Sequence, residues 1–451
     1  MFKPRLLAVA LAAALPVSPL PVLAATDADL AALRAEFDAK LKDIQTAYEA
    51  RLKEMEARLA KQEAAPVASL AAPAAEAAAA SMNPGVSLVL QGRYHHARGE
   101  GHITGFLPAG HAHGNAKGFS VDETELILSA GIDPYFQGYA NFAFADGEVE
   151  AEEAWVRTTA LGNGFTLKAG RYLSGIGYIN EQHPHVWDFA NQNLAYAAML
   201  GEHYGQDGLQ LKWVAPTPLF PEIGLEAGQG ADWSDRNGLG SHAVYAHLGD
   251  DLGDSHSWRA GLSWLRAKAD GREGHWMDDN GVEAESLFSG RSKYWIADFV
   301  WKWAPGGNPK YENFKFQAEY VRRSEDGDLT CEDNSADGGL CPPGGIADTY
   351  RARQSGWYAQ GVYKFHPEWR VGYRYDRLSE GSVNFGGGFA GVLSQPGFTP
   401  QRHSLMVDYN PSEFSRLRLQ FARDKAEQGL TDNQFTLQYL HSLGPHGAHK
   451  F

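Results

Sequence analysis

The segment Glu181-Gln182-His183-Pro184-His185 sets two imidazoles two positions apart, with Asp188 just beyond and Glu202-His203 closing the same stretch. Pro184 biases His183 toward extended backbone, so alternate residues Glu181, His183 and His185 are predicted to project to one side. Two imidazoles and a carboxylate are the donors that zinc and other borderline divalent metals prefer. A second set gathers His95, His96, His102, His111 and His113, with Glu100 nearby. His111-Ala112-His113 repeats the alternate spacing in a Gly-rich setting. Neither spacing fixes a closed four-ligand geometry. The plainer alternative stays open, in which the histidines only hydrogen-bond a loop to the wall beside it. Metal contact of this kind is expected to be transient, because passage through a pore needs release as well as binding. No resident cofactor is required.

Cys331 and Cys341 are the only cysteines of the 451 residues. Close spacing and a Pro/Gly-rich flank read as one loop disulfide in an oxidising compartment. Around them lie Glu325, Asp326, Asp328, Glu332, Asp333 and Asp337, whose spacing matches no EF-hand loop. An acidic loop that is simply solvated, or bridged by divalent ions to lipopolysaccharide, is the expectation there. No Gly-x-Ser-x-Gly element or comparable nucleophile signature occurs, so an enzyme is not expected. The net charge of −15 excludes nucleic acid as a partner and favours cations.

These residues need a scaffold, and from Val86 to Phe451 the hydrophobic period is two. Leu417, Leu419 and Phe421 alternate with Arg416, Arg418 and Gln420; Leu209, Leu211 and Trp213 alternate with Gln210 and Lys212. About sixteen such strands are predicted, which is the size of an outer-membrane barrel with an aqueous lumen. Turn signals such as Asp133-Pro134 and His366-Pro367 alternate with long polar connections. The connection from Ser174 to Gln206 is rich in Gly, Asn and aromatics, and is the predicted pore constriction. Trp213, Trp295, Trp301, Trp303, Trp357 and Tyr358 are expected in interfacial girdles. The terminal Phe451 is the expected contact for the barrel assembly machinery.

Ahead of the strands, Lys3 and Arg5 precede an apolar run broken by Pro16, Pro19 and Pro21 and ending Val22-Leu23-Ala24. Residues 1–24 therefore read as a secretory signal peptide rather than an anchor. Within residues 25–62, Leu30, Leu33, Phe37, Leu41, Ile44, Tyr48, Leu52, Met55 and Leu59 follow 3, 4, 4 spacing. That is an eleven-residue repeat, which predicts a nearly straight periplasmic coiled coil and a homotrimer. Residues 63–85 are an Ala/Pro-rich linker. The expected whole is an all-β transmembrane barrel behind a helical coil, in contact with outer-membrane lipid and lipopolysaccharide.

This organisation resembles outer-membrane porins of the phosphate-selective type that carry an N-terminal coiled coil. Phe106-Leu107-Pro108-Ala109-Gly110-His111-Ala112-His113, Phe119-Ser120-Val121-Asp122-Glu123-Thr124-Glu125-Leu126, Lys168-Ala169-Gly170-Arg171 and Gly175 to His185 resemble proteins labelled zinc-regulated, TonB-dependent outer-membrane receptors. The resemblance implies zinc acquisition, although no plug domain precedes the strands. The expected function is a passive channel for small solutes that favours divalent metal, zinc first. The alternative is a general or anion- or sugar-selective porin with structural histidines.

Overall fold

The computed structural model describes Lys42 and residues 84–107, 116–145, 148–217, 219–229 and 238–444. The expected signal peptide, coiled-coil seam, linker to residue 83, His111, His113 and Phe451 lie outside the described residues.

One antiparallel sheet runs through β1 (Gly85–His96), β2 (Gly118–Val121), β3 (Thr124–Asp133), β4 (Phe136–Ala145), β5 (Glu148–Thr158) and β6 (Phe165–Leu173). It continues through β7 (Gly205–Val214), β8 (Glu222–Gly228), β9 (Ser241–Leu252), β10 (His256–Met277), β11 (Glu283–Trp303) and β12 (Asn313–Cys331). The last strands are β13 (Ile346–His366), β14 (Trp369–Phe385), β15 (Gln401–Ser412), β16 (Ser415–Lys425) and β17 (Asp432–Leu443). Both β2 and β3 pair with β1, so they are halves of one stave broken at Asp122-Glu123. The seventeen strands therefore make sixteen staves. The ring closes where β1 pairs with β17, from Leu88↔Leu443 to His96↔Phe435.

The alternation explains why the sheet closes around polar groups. On β16, Leu417, Leu419 and Phe421 are 42%, 45% and 49% exposed, while Arg416, Arg418 and Gln420 are buried. A sheet with apolar residues outward and charges inward suits lipid outside and water within. Among the described residues no helix is long and apolar enough to cross a membrane.

One end of the barrel has tight turns. Asp133 Oδ1 accepts from the backbone of Tyr135 at 2.7 Å and Phe136 at 2.9 Å, closing the β3–β4 turn. The opposite end carries the long connections, which is the outer side of such barrels. There the rim is uneven. Strands β10 to β13 run 22, 21, 19 and 21 residues, about twice what a membrane crossing needs. The period-two pattern alone predicts much shorter strands here, at about 256–269, 291–304, 313–324 and 354–365. On β10 and β11 the exposed positions of the outer halves are Asp270, Glu273, Glu283 and Glu285 instead of an apolar stripe, so the amphipathic signature stops at the membrane while the ladder continues. Cys331 and Cys341 are joined across the β12–β13 connection, with Cα atoms 6.0 Å apart.

The lumen departs from an open aqueous tube. Residues 174–204, between β6 and β7, fold inward and include a short helix α1 (Leu194–Met199). Ile176, Ile179, Leu194, Tyr196, Met199 and Tyr204 pack there against Tyr245, Leu265, Tyr294, Ile296, Val321 and Leu378 of the wall. Several inward-facing wall positions are thus apolar where the loop packs on them, beside the polar groups that tie it down. Tyr358 also departs from expectation: it points inward and donates to Glu319 Oε1 at 2.5 Å, while Trp295 and Trp357 face outward.

Candidate functional site

The inward loop is tied to walls on both sides of the lumen. At its base the backbone N–H of Ser174 donates to the carbonyl of Tyr204 at 3.0 Å. The Asn180 amide donates to the same two residues' carbonyls at 2.7 and 2.9 Å. Glu226 on β8 accepts from Ser174 Oγ at 2.6 Å and from the Gly175 N–H at 2.9 Å. Gly177, at φ 64°, turns the chain where a Cβ would lie 2.4 Å from both Glu319 and Tyr196. Across the lumen Glu319 on β12 then accepts the Tyr178 and Ile179 N–H groups at 2.9 and 3.0 Å. Asn193 caps α1 by accepting from the Tyr196 N–H at 3.0 Å. Arg374 on β14 and Arg402 on β15 donate to carbonyls of Asn191 and Gln192.

Where the loop touches β3, β4 and β5, it brings His183 into a buried carboxylate pocket. His183 Nδ1 lies 3.0 Å from Glu152 and 3.9 Å from Glu125. Its Nε2 lies 3.0 Å from Glu153. Asn141 Nδ2 donates to Glu125 at 2.7 Å and to Glu152 at 3.1 Å. His185 Nδ1 lies 2.5 Å from Glu125, and the His183 and His185 rings stack with centroids 6.1 Å apart. Glu123, Glu125, Glu152 and His183 offer donor atoms that all lie within 4.8 Å of one another. Burial opposes charge on His183, but Glu152 and Glu125 outweigh it and hold the imidazole well above its ordinary pKa.

Strand parity alone cannot build this pocket. On β5, Asn141 pairs with Glu153 while Phe142 pairs with Ala151, leaving Glu152 as an extra residue. This bulge turns both adjacent glutamates inward; each is 9% exposed. The break at Asp122-Glu123 similarly frees Glu123 from the β2–β3 alternation. Sequence reasoning did not select Glu123, Glu125, Glu152, Glu153 or Asn141 as ligands, and only a structure joins three strands and a loop in this way.

Other expected ligands go elsewhere. Glu181 does not join His183 and His185: it sits in a turn closed by the Gln182 N–H on the Ile179 carbonyl at 3.0 Å, so the chain is not extended through it. Asp188 faces the basic wall, where it pairs with Lys315 and with Arg370 at 3.0 Å. Burial works against that carboxylate, yet the two cations hold its pKa down at about 2. Glu202 is pushed up to about 8 by burial and by Glu152 and Asp122, so it keeps its proton at neutral pH. His203 Nε2 stands 3.9 Å from Glu152, at the edge of the pocket. The second histidine set disperses: His95 meets Thr436 Oγ1 at 2.9 Å inside the barrel, and His96 is exposed. His102 instead meets Glu283 at 3.6 Å, and Glu283 also lies 3.2 Å from His275.

Above the loop a cavity of about 1340 Å³ opens at the long-connection end. Twelve acidic side chains and three arginines line it; with Glu202 protonated the carboxylates still outnumber the cations, so the mouth attracts cations. His102, His275 and Glu283 stand on its lining, as do Glu123 and Glu202. The mouth therefore reaches down to the edge of the carboxylate pocket.

A closed sixteen-stave wall, apolar outside and polar within, with one long connection folded into the lumen, defines an outer-membrane β-barrel of the porin class. No family model matches the chain. It is 30% identical over 365 residues to an uncharacterized protein of Aquifex aeolicus, covering 76% of this chain and 72% of that protein, and belongs to the same family. Among solved structures, the outer membrane channel DcaP of Acinetobacter baumannii aligns with 11% identity and a TM-score of 0.47, covering 80% of this chain and 97% of that one. The anion-selective porin from Comamonas acidovorans aligns with 10% identity and a TM-score of 0.47, over 80% and 99% of the two chains.

Proposed function

We propose that the protein is a passive outer-membrane channel for small solutes that favours divalent cations, zinc first, at its mouth. The excess of carboxylates around the mouth carries this reading. Such a lining raises the local cation concentration and repels anions. His102, His275 and Glu283 supply two imidazoles and a carboxylate, and their exposure lets a captured ion leave again. A second reading has its own support: Lys315, Arg370, Arg374, Arg402, Arg416 and Arg418 make a basic wall along β12 to β16, reaching the loop at the His185 carbonyl, which suits an anionic solute. Asp188, Asp376, Asp408 and Asp424 offset much of that charge.

Recordings in planar bilayers under a KCl gradient test the choice. The expected outcome is a cation-biased reversal potential and zinc-dependent block that Glu283→Gln with His275→Ala weakens. An anion-biased potential, with block by phosphate or a sugar and indifference to zinc, would sink the proposal.

The acidic loops would meet lipopolysaccharide through bridging divalent ions, Phe451 would engage the assembly machinery, and the seam from Leu30 to Leu59 would hold three chains together in the periplasm. Deleting residues 27–62 is expected to convert a trimer on a mild-detergent gel into monomers that still show the heat-shifted mobility of a folded barrel. Persistence of trimers would assign the coil to attachment rather than assembly.

A further inference from the structure

We propose that Glu123, Glu125, Glu152 and His183 form a resident site for one first-row divalent cation that pins the inward loop to the barrel wall. Three ligands belong to the wall and one to the loop, so the ion would be a cross-link between them. This stands apart from the mouth chemistry proposed above and holds whichever solute the channel carries.

Two observations point to an ion rather than to an ordinary polar cluster. Glu123 is 7% exposed, and its Oε1 has no hydrogen-bond partner among the described residues. A buried carboxylate oxygen without a donor is costly, and a cation shared with Glu125 and Glu152 would satisfy it. The second is the way His183 is oriented. Its Nε2 faces Glu153 at 3.0 Å while Nδ1 faces Glu152 and Glu125. A carboxylate holding one ring nitrogen so that the other is presented to a metal is the usual outer support of a histidine ligand. His185 and Asn141 give Glu125 the same kind of support.

Three carboxylates and one imidazole suit manganese, iron or zinc as divalent ions. Calcium prefers six to eight oxygens, and sulfur-seeking copper finds no thiolate here. Burial separates this site from the one at the mouth: His183, Glu125 and Glu152 are 6%, 0% and 9% exposed, so an ion held by them exchanges slowly. The donor set that the loop histidines suggested for capture in transit is better fitted to keeping its ion.

The test uses the full mature chain, purified from outer membranes in detergent. The protein is stripped with a chelator, loaded separately with Mn2+ and Zn2+, and desalted. Bound metal is then measured by plasma mass spectrometry, and folding by heat-shifted gel mobility. About one equivalent per chain of at least one metal should survive desalting. Glu123→Gln, which keeps the shape and breaks no hydrogen bond of Oε1, should weaken retention by at least about tenfold with mobility unchanged. Glu413→Gln, in the exposed β15–β16 turn, should leave the stoichiometry as it was. Retention of neither metal by the folded wild-type protein would overturn the proposal. So would equal retention in Glu123→Gln and in the paired variant Glu125→Gln with Glu152→Gln, or a loss caused by Glu413→Gln instead.

Discussion

Replacing residues 175–203 with a short Gly/Ser turn is expected to raise single-channel conductance several-fold. The base of the loop makes this deletion feasible, since Leu173 and Gly205 are already paired and Ser174 is hydrogen-bonded to Tyr204. The loop now fills the lumen at mid-height with Ile176, Ile179, Tyr196 and Met199 packed on Leu265, Ile296 and Val321. Without it, a sixteen-stave wall encloses water across its width. Glu226 and Glu319 would lose their backbone partners, but hydration would replace them. Bilayer conductance at fixed salt is the measurement. An unchanged conductance would mean that the limiting passage lies at the mouth, not at the loop.

Asp188→Asn should have the second large effect. Asp188 is buried against Lys315 and Arg370 and accepts from Gln360 at 2.9 Å. Removing its charge leaves Lys315 and Arg370 without the carboxylate between them, with Asp408 still paired to Arg370. Breaking a buried pair on one side typically costs about 3–5 kcal/mol. The barrel ladder does not depend on it, so the loss should appear as local opening of the loop, read by hydrogen exchange or limited proteolysis across residues 184–199. The pH dependence has a definite sign. A carboxylate held down at about 2 contributes fully above the ordinary aspartate range and loses that contribution as pH falls toward 2. Wild-type loop protection should therefore persist at pH 5 and fade near pH 2, and Asp188→Asn should lack that acid-dependent component. Equal protection in both proteins at neutral pH would refute the assigned role.

The wall was legible in sequence because lipid outside and water inside impose a strict period of two. Strands such as β6 and β16 announce themselves within a residue or two, and the even stave count follows. Strands β10 to β13 were under-read because, beyond the bilayer, no solvent demands an apolar face, and charged residues extend the same ladder unmarked. The inward fold of the loop was legible as well: a long connection rich in Gly, Asn and aromatics has no reason to be so on a solvated surface.

The site was legible only in part. His183 and His185 stood out by spacing and by Pro184, and they do stack. Glu181 and Asp188 were grouped with them by sequence distance, but a turn at Glu181 and the 3-10 turn at Pro184–Val186 send the chain in different directions on either side of His183. The carboxylates that receive His183 were invisible as ligands. Glu125 looks like any inward strand residue, Glu123 needs the break between β2 and β3, and parity places Glu152 and Glu153 on opposite faces.

The irregularity in β5 has a further implication for how such a pocket can come and go. Remove Glu152 and the rungs Asn141↔Glu153 and Phe142↔Ala151 become consecutive, so the strand heals into an uninterrupted ladder with no side chain beyond it flipped. A single codon thus behaves as a detachable module. Lineages could shed or regain the extra carboxylate while every other stave keeps its neighbours, and the length of this one strand would report which version a given member carries.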